Sequence, residues 1–152
     1  MSFISVNKER GIIMKKRIAA ACILSMIMLS IGLPVYASSN DTPWSYNGSA
    51  WGTYTVYRDK ENNSWVYCHP ESGAPTWVTV YGKSGTLAEA PESGTYKIPV
   101  GTYGMISNYV NETGRTQAKL KLERTSSGNI PYAGKWSPDS IEYSGVNYTY
   151  YY

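Results

Sequence analysis

The chain has 152 residues, 42% of them hydrophobic and 16% charged, with one histidine, two cysteines, five tryptophans and fifteen tyrosines. Its net charge of +3 sits at the front: Lys8, Arg10, Lys15, Lys16 and Arg17 face only Glu9 there, so Ser38–Tyr152 holds nine basic and ten acidic residues, net −1. That remainder lacks the basic field a phosphate backbone demands, which argues against a nucleic-acid partner, and it is long enough for one domain with a modest core.

Met14-Lys15-Lys16-Arg17 is a compact positive patch, and Ile18–Leu33 is an uncharged, mostly apolar run. Pro34-Val35-Tyr36-Ala37 ends it on a small residue, with a small aliphatic one two positions earlier. That order predicts a secretory signal helix over residues 1–37, handed to the export machinery and cleaved after Ala37, with a secreted product. The run is shorter than the roughly 20 residues of a membrane-crossing helix. Met14 serves equally well as a start, because Met1–Ile13 adds nothing a leader needs. Cys22 opens the apolar run instead of following it, which argues against lipidation.

Residues 38–50 are polar and are expected to be a mobile N-terminal stretch, leaving 51–152 as the single folded domain. Short runs of Thr, Val, Tyr and Trp then alternate with turn clusters, which predicts an all-β fold, a small antiparallel β-sandwich or barrel. Trp51–Arg58 reads as a strand, Asp59–Asn63 as a loop, and Ser64–Cys68 as a strand pairing back in a hairpin. His69–Pro75 reads as a second loop and Thr76–Tyr81 as a third strand. Gly82–Gly94 looks irregular, and Thr95–Ile98 is a short edge strand before Pro99, which cannot donate to a ladder.

Tyr103–Val110 and Arg115–Arg124 form a hairpin in this reading, closed by Asn111-Glu112-Thr113-Gly114. In Gln117–Glu123 the alternation is strict: Ala118, Leu120 and Leu122 face a core, and Gln117, Lys119, Lys121 and Glu123 face water. Thr125–Asn129 is a turn, Gly134–Trp136 a short strand, Ser137–Ser140 a turn, and Ile141–Tyr152 a closing strand.

The chemistry-bearing residues are sparse. Cys68 and His69 are neighbours, and neighbours on a strand point to opposite faces, so they cannot form a nucleophile–base pair. Cys68 cannot close an internal disulfide once Cys22 leaves with the leader, and it reads as a buried apolar residue. One Cys and one His fall short of a zinc set, and no calcium-loop or phosphate-loop spacing occurs. No carboxylate pair is placed for glycoside hydrolysis. The expectation is a non-enzymatic protein without metal or cofactor. Asn47, Asn62, Asn111 and Asn147 open glycosylation sequons but read as turn and edge residues.

Aromatics are the signature of the exported part: it holds all five tryptophans and fourteen tyrosines. So small a domain cannot hide them all, and exposed aromatic surface marks a partner site. Trp44, Trp51 and the terminal Tyr148, Tyr150, Tyr151 and Tyr152 are the candidates. The terminal run reads either as an amphipathic strand that stacks on sugar rings or settles at a lipid headgroup layer, or as a closing strand whose alternate tyrosines complete the core.

Ser107-Asn108-Tyr109, Asn111-Glu112-Thr113-Gly114-Arg115-Thr116-Gln117 and Gly134-Lys135-Trp136-Ser137-Pro138-Asp139-Ser140 carry a resemblance. On these residues the chain resembles small exported proteins of Gram-positive bacteria and is distantly similar to the lactococcin-like bacteriocins, which are shorter β-sandwich proteins. Asn111, Thr113, Gly114, Arg115 and Trp136 are the matching positions. The resemblance implies a bacteriocin-like protein acting at the envelope of neighbouring cells by binding a cell-wall precursor, lipid II. The aromatic excess supports an alternative, a carbohydrate- or cell-wall-binding module whose partner is a glycan. The sequence leaves the oligomeric state open.

Overall fold

The computed structural model describes residues 41–152; the expected leader, its cleavage point and residues 38–40 lie outside them. The described residues fold as a two-sheet β-sandwich without a helix. The ten strands are β1 (Thr42–Asn47), β2 (Gly52–Tyr54), β3 (Arg58–Asp59), β4 (Val66–Ser72), β5 (Thr76–Lys83), β6 (Ala90–Ile98), β7 (Tyr103–Ile106), β8 (Gln117–Arg124), β9 (Pro131–Ser137) and β10 (Tyr148–Tyr151). One sheet runs β1-β9-β4-β7-β10; the other runs β2-β8-β5-β6, with β3 also on β8. No barrel closes. Every pairing is antiparallel except β10 on β7, which is parallel.

The second sheet is organised by β8. Its two-residue period puts Ala118, Leu120 and Leu122 wholly inside, while the intervening side chains remain partly wet. β5 lies along it from Thr76↔Arg124 to Lys83↔Gln117 and sends Val78 and Val80 into the same core. The first sheet answers with Trp44, Val66, Cys68, Ile106, Tyr132 and Trp136. Fully burying side chains of this size stabilises the fold by about 1.5–3 kcal/mol each. Gly134 is required by this packing: a Cβ there would lie 2.5 Å from Cζ2 of Trp44 and 2.3 Å from the His69 carbonyl oxygen.

Several sequence expectations change. Tyr103–Val110 and Arg115–Arg124 do not form a hairpin, because β7 and β8 belong to opposite sheets. The connection carries Val110 into the core between them. The Asn111–Gly114 turn itself forms, with Gly114 donating to the Asn111 carbonyl at 3.0 Å and adopting φ +80°. Ser64–Cys68 likewise does not pair with Trp51–Arg58, since β2 and β3 flank β8 and β4 lies in the other sheet. Thr55 spans the break between β2 and β3: its N–H donates to the Leu120 carbonyl and its hydroxyl accepts from the Leu120 N–H, both at 2.9 Å.

β4 runs on through His69, Pro70 and Glu71, where a loop was expected. Pro70 is tolerated because the β4–β7 ladder ends at Cys68, and the β4–β9 ladder shifts register just beyond it. β6 is an edge strand, but it starts at Ala90 and not Thr95. Residues 42–47 of the expected mobile stretch form β1, pinned by buried Trp44. The closing strand is only Tyr148–Tyr151.

Candidate functional site: an aromatic sheet face with a recess

Strand alternation sends Cys68 into the core and His69 to the outer face of the first sheet. Burial pushes the Cys68 thiol up, away from nucleophilic thiolate character. The same alternation places Trp65 and Tyr67 beside His69. β7 contributes Tyr103, and β10 contributes Tyr148 and Tyr150, followed by Tyr152. Seven rings thus share one face.

They touch as a chain. His69 stacks on Tyr103 with centroids 4.2 Å apart and planes 2° apart. Tyr67 lies 6.5 Å from Tyr103, and Tyr148 stands at 73° to Tyr103 at 6.2 Å. Trp65 is met edge-on by Tyr150 at 5.3 Å and Tyr152 at 5.0 Å. Met105, opposite both Tyr67 and Tyr150 in register, is fully buried on this face. His69 Nδ1 donates to the Thr102 carbonyl at 2.9 Å, since a carbonyl can only accept. That bond fixes the ring against Tyr103.

The segment between β9 and β10 borders this face and leaves an open recess of about 150 Å³. Tyr67, Tyr103 and Tyr148 form its aromatic walls. Asp41, Ser137, Asp139 and Ser140 form its polar side, and Ile141, Tyr143 and Val146 line the rest. Tyr143 N–H donates to the Tyr148 hydroxyl at 3.0 Å, and the Tyr150 hydroxyl donates to Glu142 Oε1 at 2.8 Å. These two bonds staple that segment to β10. Burial, with Asp41 close by, raises the Tyr67 phenol well above its ordinary pKa, so the ring stays neutral at physiological pH.

Asp139 is anchored from behind. It accepts from Lys60 Nζ at 3.2 Å, and that ammonium also donates to the Ser64 and Pro138 carbonyls at 2.7 and 2.8 Å. The Lys60 side chain is fully enclosed. The Asp59–Asn63 segment, expected as a loop, and Ser137–Ser140, expected as a turn, are tied together by this pair.

The second sheet also carries aromatics outside, Trp77 and Tyr81 among them, but three rings on that side, Trp51, Tyr54 and Tyr57, are already met by the protein's own cations. Lys119 Nζ lies 4.0 Å from the Tyr54 centroid and 4.6 Å from Tyr57, and Lys83 Nζ lies 4.0 Å from Tyr57. Glu89 pairs with Lys119 at 2.7 Å and accepts from the Tyr57 hydroxyl. Arg124 sits 5.0 Å from Trp51.

Of the candidate rings, Tyr148, Tyr150 and Tyr152 come together on the first sheet. Trp44 does not join them; it is a core residue. Tyr151 points inward, 5.5 Å from Tyr96. Trp51 is 70% exposed but sits beside the other sheet. The strand thus splits by face: Tyr151 packs against the core, and Tyr148, Tyr150 and Tyr152 lie on the outer side. The resemblance positions serve the fold. Arg115 pairs with Glu92 at 2.7 Å, and Thr113 donates to the same carboxylate at 3.1 Å. Gly114 makes the turn, Asn111 accepts within it, and Trp136 is wholly buried.

Sequence reasoning missed Trp65, Tyr67, His69 and Tyr103. The signal for the first three was their two-residue spacing; Tyr103 needed the pairing of β7 with β4. Among the described residues no group of three His, Cys, Asp or Glu could hold a metal ion.

The chain belongs to the family described as Protein of unknown function (DUF2712), whose model matches residues 33–140. No curated protein and no solved structure matches it. The family match takes in Tyr67, Tyr103 and Asp139, and it stops before the wall of Ile141, Tyr143, Val146 and Tyr148.

Proposed function

We propose that the domain is a secreted, non-enzymatic binding module that docks on a cell-wall glycan or glycan-bearing precursor of the bacterial envelope through the outer face of the first sheet. One observation carries this reading: Trp65, Tyr67, His69, Tyr103, Tyr148, Tyr150 and Tyr152 share a face beside a recess sized for one six-membered ring. Sugar rings present C–H faces that stack on such rings, while nearby carboxylates and hydroxyls take their hydroxyl groups. Asp41, Ser137, Asp139 and Ser140 supply those polar contacts. Nothing in the recess is an activated nucleophile, which favours binding over turnover.

Sedimentation of the protein with purified peptidoglycan measures this directly. Tyr67→Ala, Trp65→Ala and Tyr148→Ala should each weaken retention several-fold. Retention unchanged in all three removes the platform. The bacteriocin-like reading is the same surface put to lethal use on a wall precursor. It requires that added protein slow the growth of related strains, and that the same substitutions abolish the effect.

A further inference from the structure

The recess differs from the aromatic surface of the second sheet in one respect. There, Tyr54, Tyr57 and Trp51 each carry a Lys or Arg within the distance at which a cation is held by a ring face. Among the described residues no Lys or Arg stands over Tyr67, Tyr103, Tyr143 or Tyr148, and none lines the recess. Its two ionisable acids are Asp139, already paired with Lys60, and Asp41, which forms no ion pair with any described residue.

We propose that this recess takes an alkylammonium head group, seated against Tyr67, Tyr103, Tyr143 and Tyr148 and met at the rim by the carboxylate of Asp41. The geometry suits it. Tyr103 and Tyr148 meet at 73° with centroids 6.2 Å apart, and Tyr67 lies 6.5 Å from Tyr103 at an interplanar angle of 23°, so three rings border one volume. A cavity of about 150 Å³ admits a group the size of benzene, which suits a trimethylammonium or a primary amine on a short stem. Partial burial raises the Asp41 carboxyl pKa, with a further push from Glu71, and the opposing pull of its basic neighbours, Lys135 first, does not offset it. An incoming cation supplies the missing partner.

The inference rests on the reading that this face is the binding surface, and it names the chemistry its deepest point selects. Three envelope sources present that chemistry: a choline substituent, a de-N-acetylated amino sugar and an aminoacyl ester.

Titrating the full chain with choline, glucosamine and D-alanine methyl ester, followed by calorimetry and Trp65-sensitive fluorescence, separates the sources. Neutral counterparts run beside them: 3,3-dimethylbutan-1-ol for choline and N-acetylglucosamine for glucosamine. The expected result is that at least one cation binds roughly tenfold tighter than its neutral counterpart. Asp41→Asn should weaken that binding about tenfold, the loss of one charge-assisted contact. Tyr148→Leu should weaken it similarly, and Lys97→Ala, on the far sheet, should leave it unchanged. Equal affinity for the neutral counterparts, or Asp41→Asn binding like the parent, overturns the proposal. Retention on peptidoglycan without cation binding sinks this inference and leaves the glycan reading standing. Cation binding without wall retention does the reverse, and absence of both removes both.

Discussion

Asp139→Ala tests how the recess is held in place. In the folded protein the Lys60 ammonium is enclosed by three acceptors, the Ser64 and Pro138 carbonyls and Asp139 Oδ1. Asp139 also accepts from the Glu61 N–H at 3.0 Å and from the Asn62 N–H and Ser64 hydroxyl, both at 3.4 Å. Removing the carboxylate leaves a buried cation with two neutral carbonyls and strips the Glu61 N–H of its acceptor. Breaking a buried pair from one side costs about 3–5 kcal/mol, a fall in Tm on the order of 10–20 °C for a domain this size. Lys60→Met should cost less, about 2 kcal/mol, because Asp139 keeps its backbone donors. The double variant Lys60→Met/Asp139→Asn should be more stable than Asp139→Ala, since no orphaned charge remains inside.

Burial lowers the Lys60 pKa against the opposing pull of Asp139, so the unfolded chain binds this proton more tightly than the native one. The parent should therefore gain stability relative to Lys60→Met as pH climbs toward about 10.5. Urea unfolding followed by tryptophan fluorescence reads all of these. A loss below about 1 kcal/mol for Asp139→Ala, or a double variant no better than that single one, refutes the reasoning.

Leu120→Ala, at the centre of β8 and wholly buried, should cost about 2–5 kcal/mol in the same assay. Tyr46 is pushed up to about 12, chiefly by burial and then by Tyr132. Tyrosine in the unfolded chain ionises near about 10, so the native state holds this proton longer and stability should fall as pH rises from about 10 to 12, a slope that Tyr46→Phe reduces. At neutral pH the same change should be close to neutral, because the buried Tyr46 hydroxyl has no hydrogen-bond partner among the described residues. Cys68, enclosed and with its thiol pKa raised, should resist alkylation at pH 8 until denaturant is added; labelling of the native protein measured by mass spectrometry would contradict its burial.

The sandwich was legible wherever one strand carried its own two-residue period. Ala118, Leu120 and Leu122 announce the inner face of β8 without help from any neighbour. The pairing partners were not legible. Asn111–Gly114 is a genuine turn, yet the chain uses it to change sheets, and that choice depends on where Val110 finds apolar company. Pro70 looked like a loop residue because a proline inside a sheet is disfavoured; only the end of the β7 ladder beside it makes the position permissible. In β1 only Trp44 and Tyr46 are apolar among Thr, Pro, Ser and Asn, too short an alternation to stand out, and it is Trp44 inserted next to Gly134 with Tyr46 stacked on Tyr132 that anchors the strand. At the site, Trp65, Tyr67 and His69 could be read from spacing, and the outward Tyr148, Tyr150 and Tyr152 were in view. The recess could not, because its walls come from segments more than a hundred positions apart, Asp41 at one end and Tyr148 at the other.

β10 bonds along one side only, to β7, over four residues and in the parallel sense. Its attachment is weaker than that of any strand held between two neighbours. Detaching it removes only the edge strand of the first sheet and leaves the other ladders paired, so that wall of the recess should come away in a partial excursion well below the global unfolding free energy. Amide deuteration would register this as rapid exchange across Tyr148–Tyr151 beside slow exchange in β8. A guest seated against Tyr148 would damp that breathing and protect a stretch of main chain it never contacts.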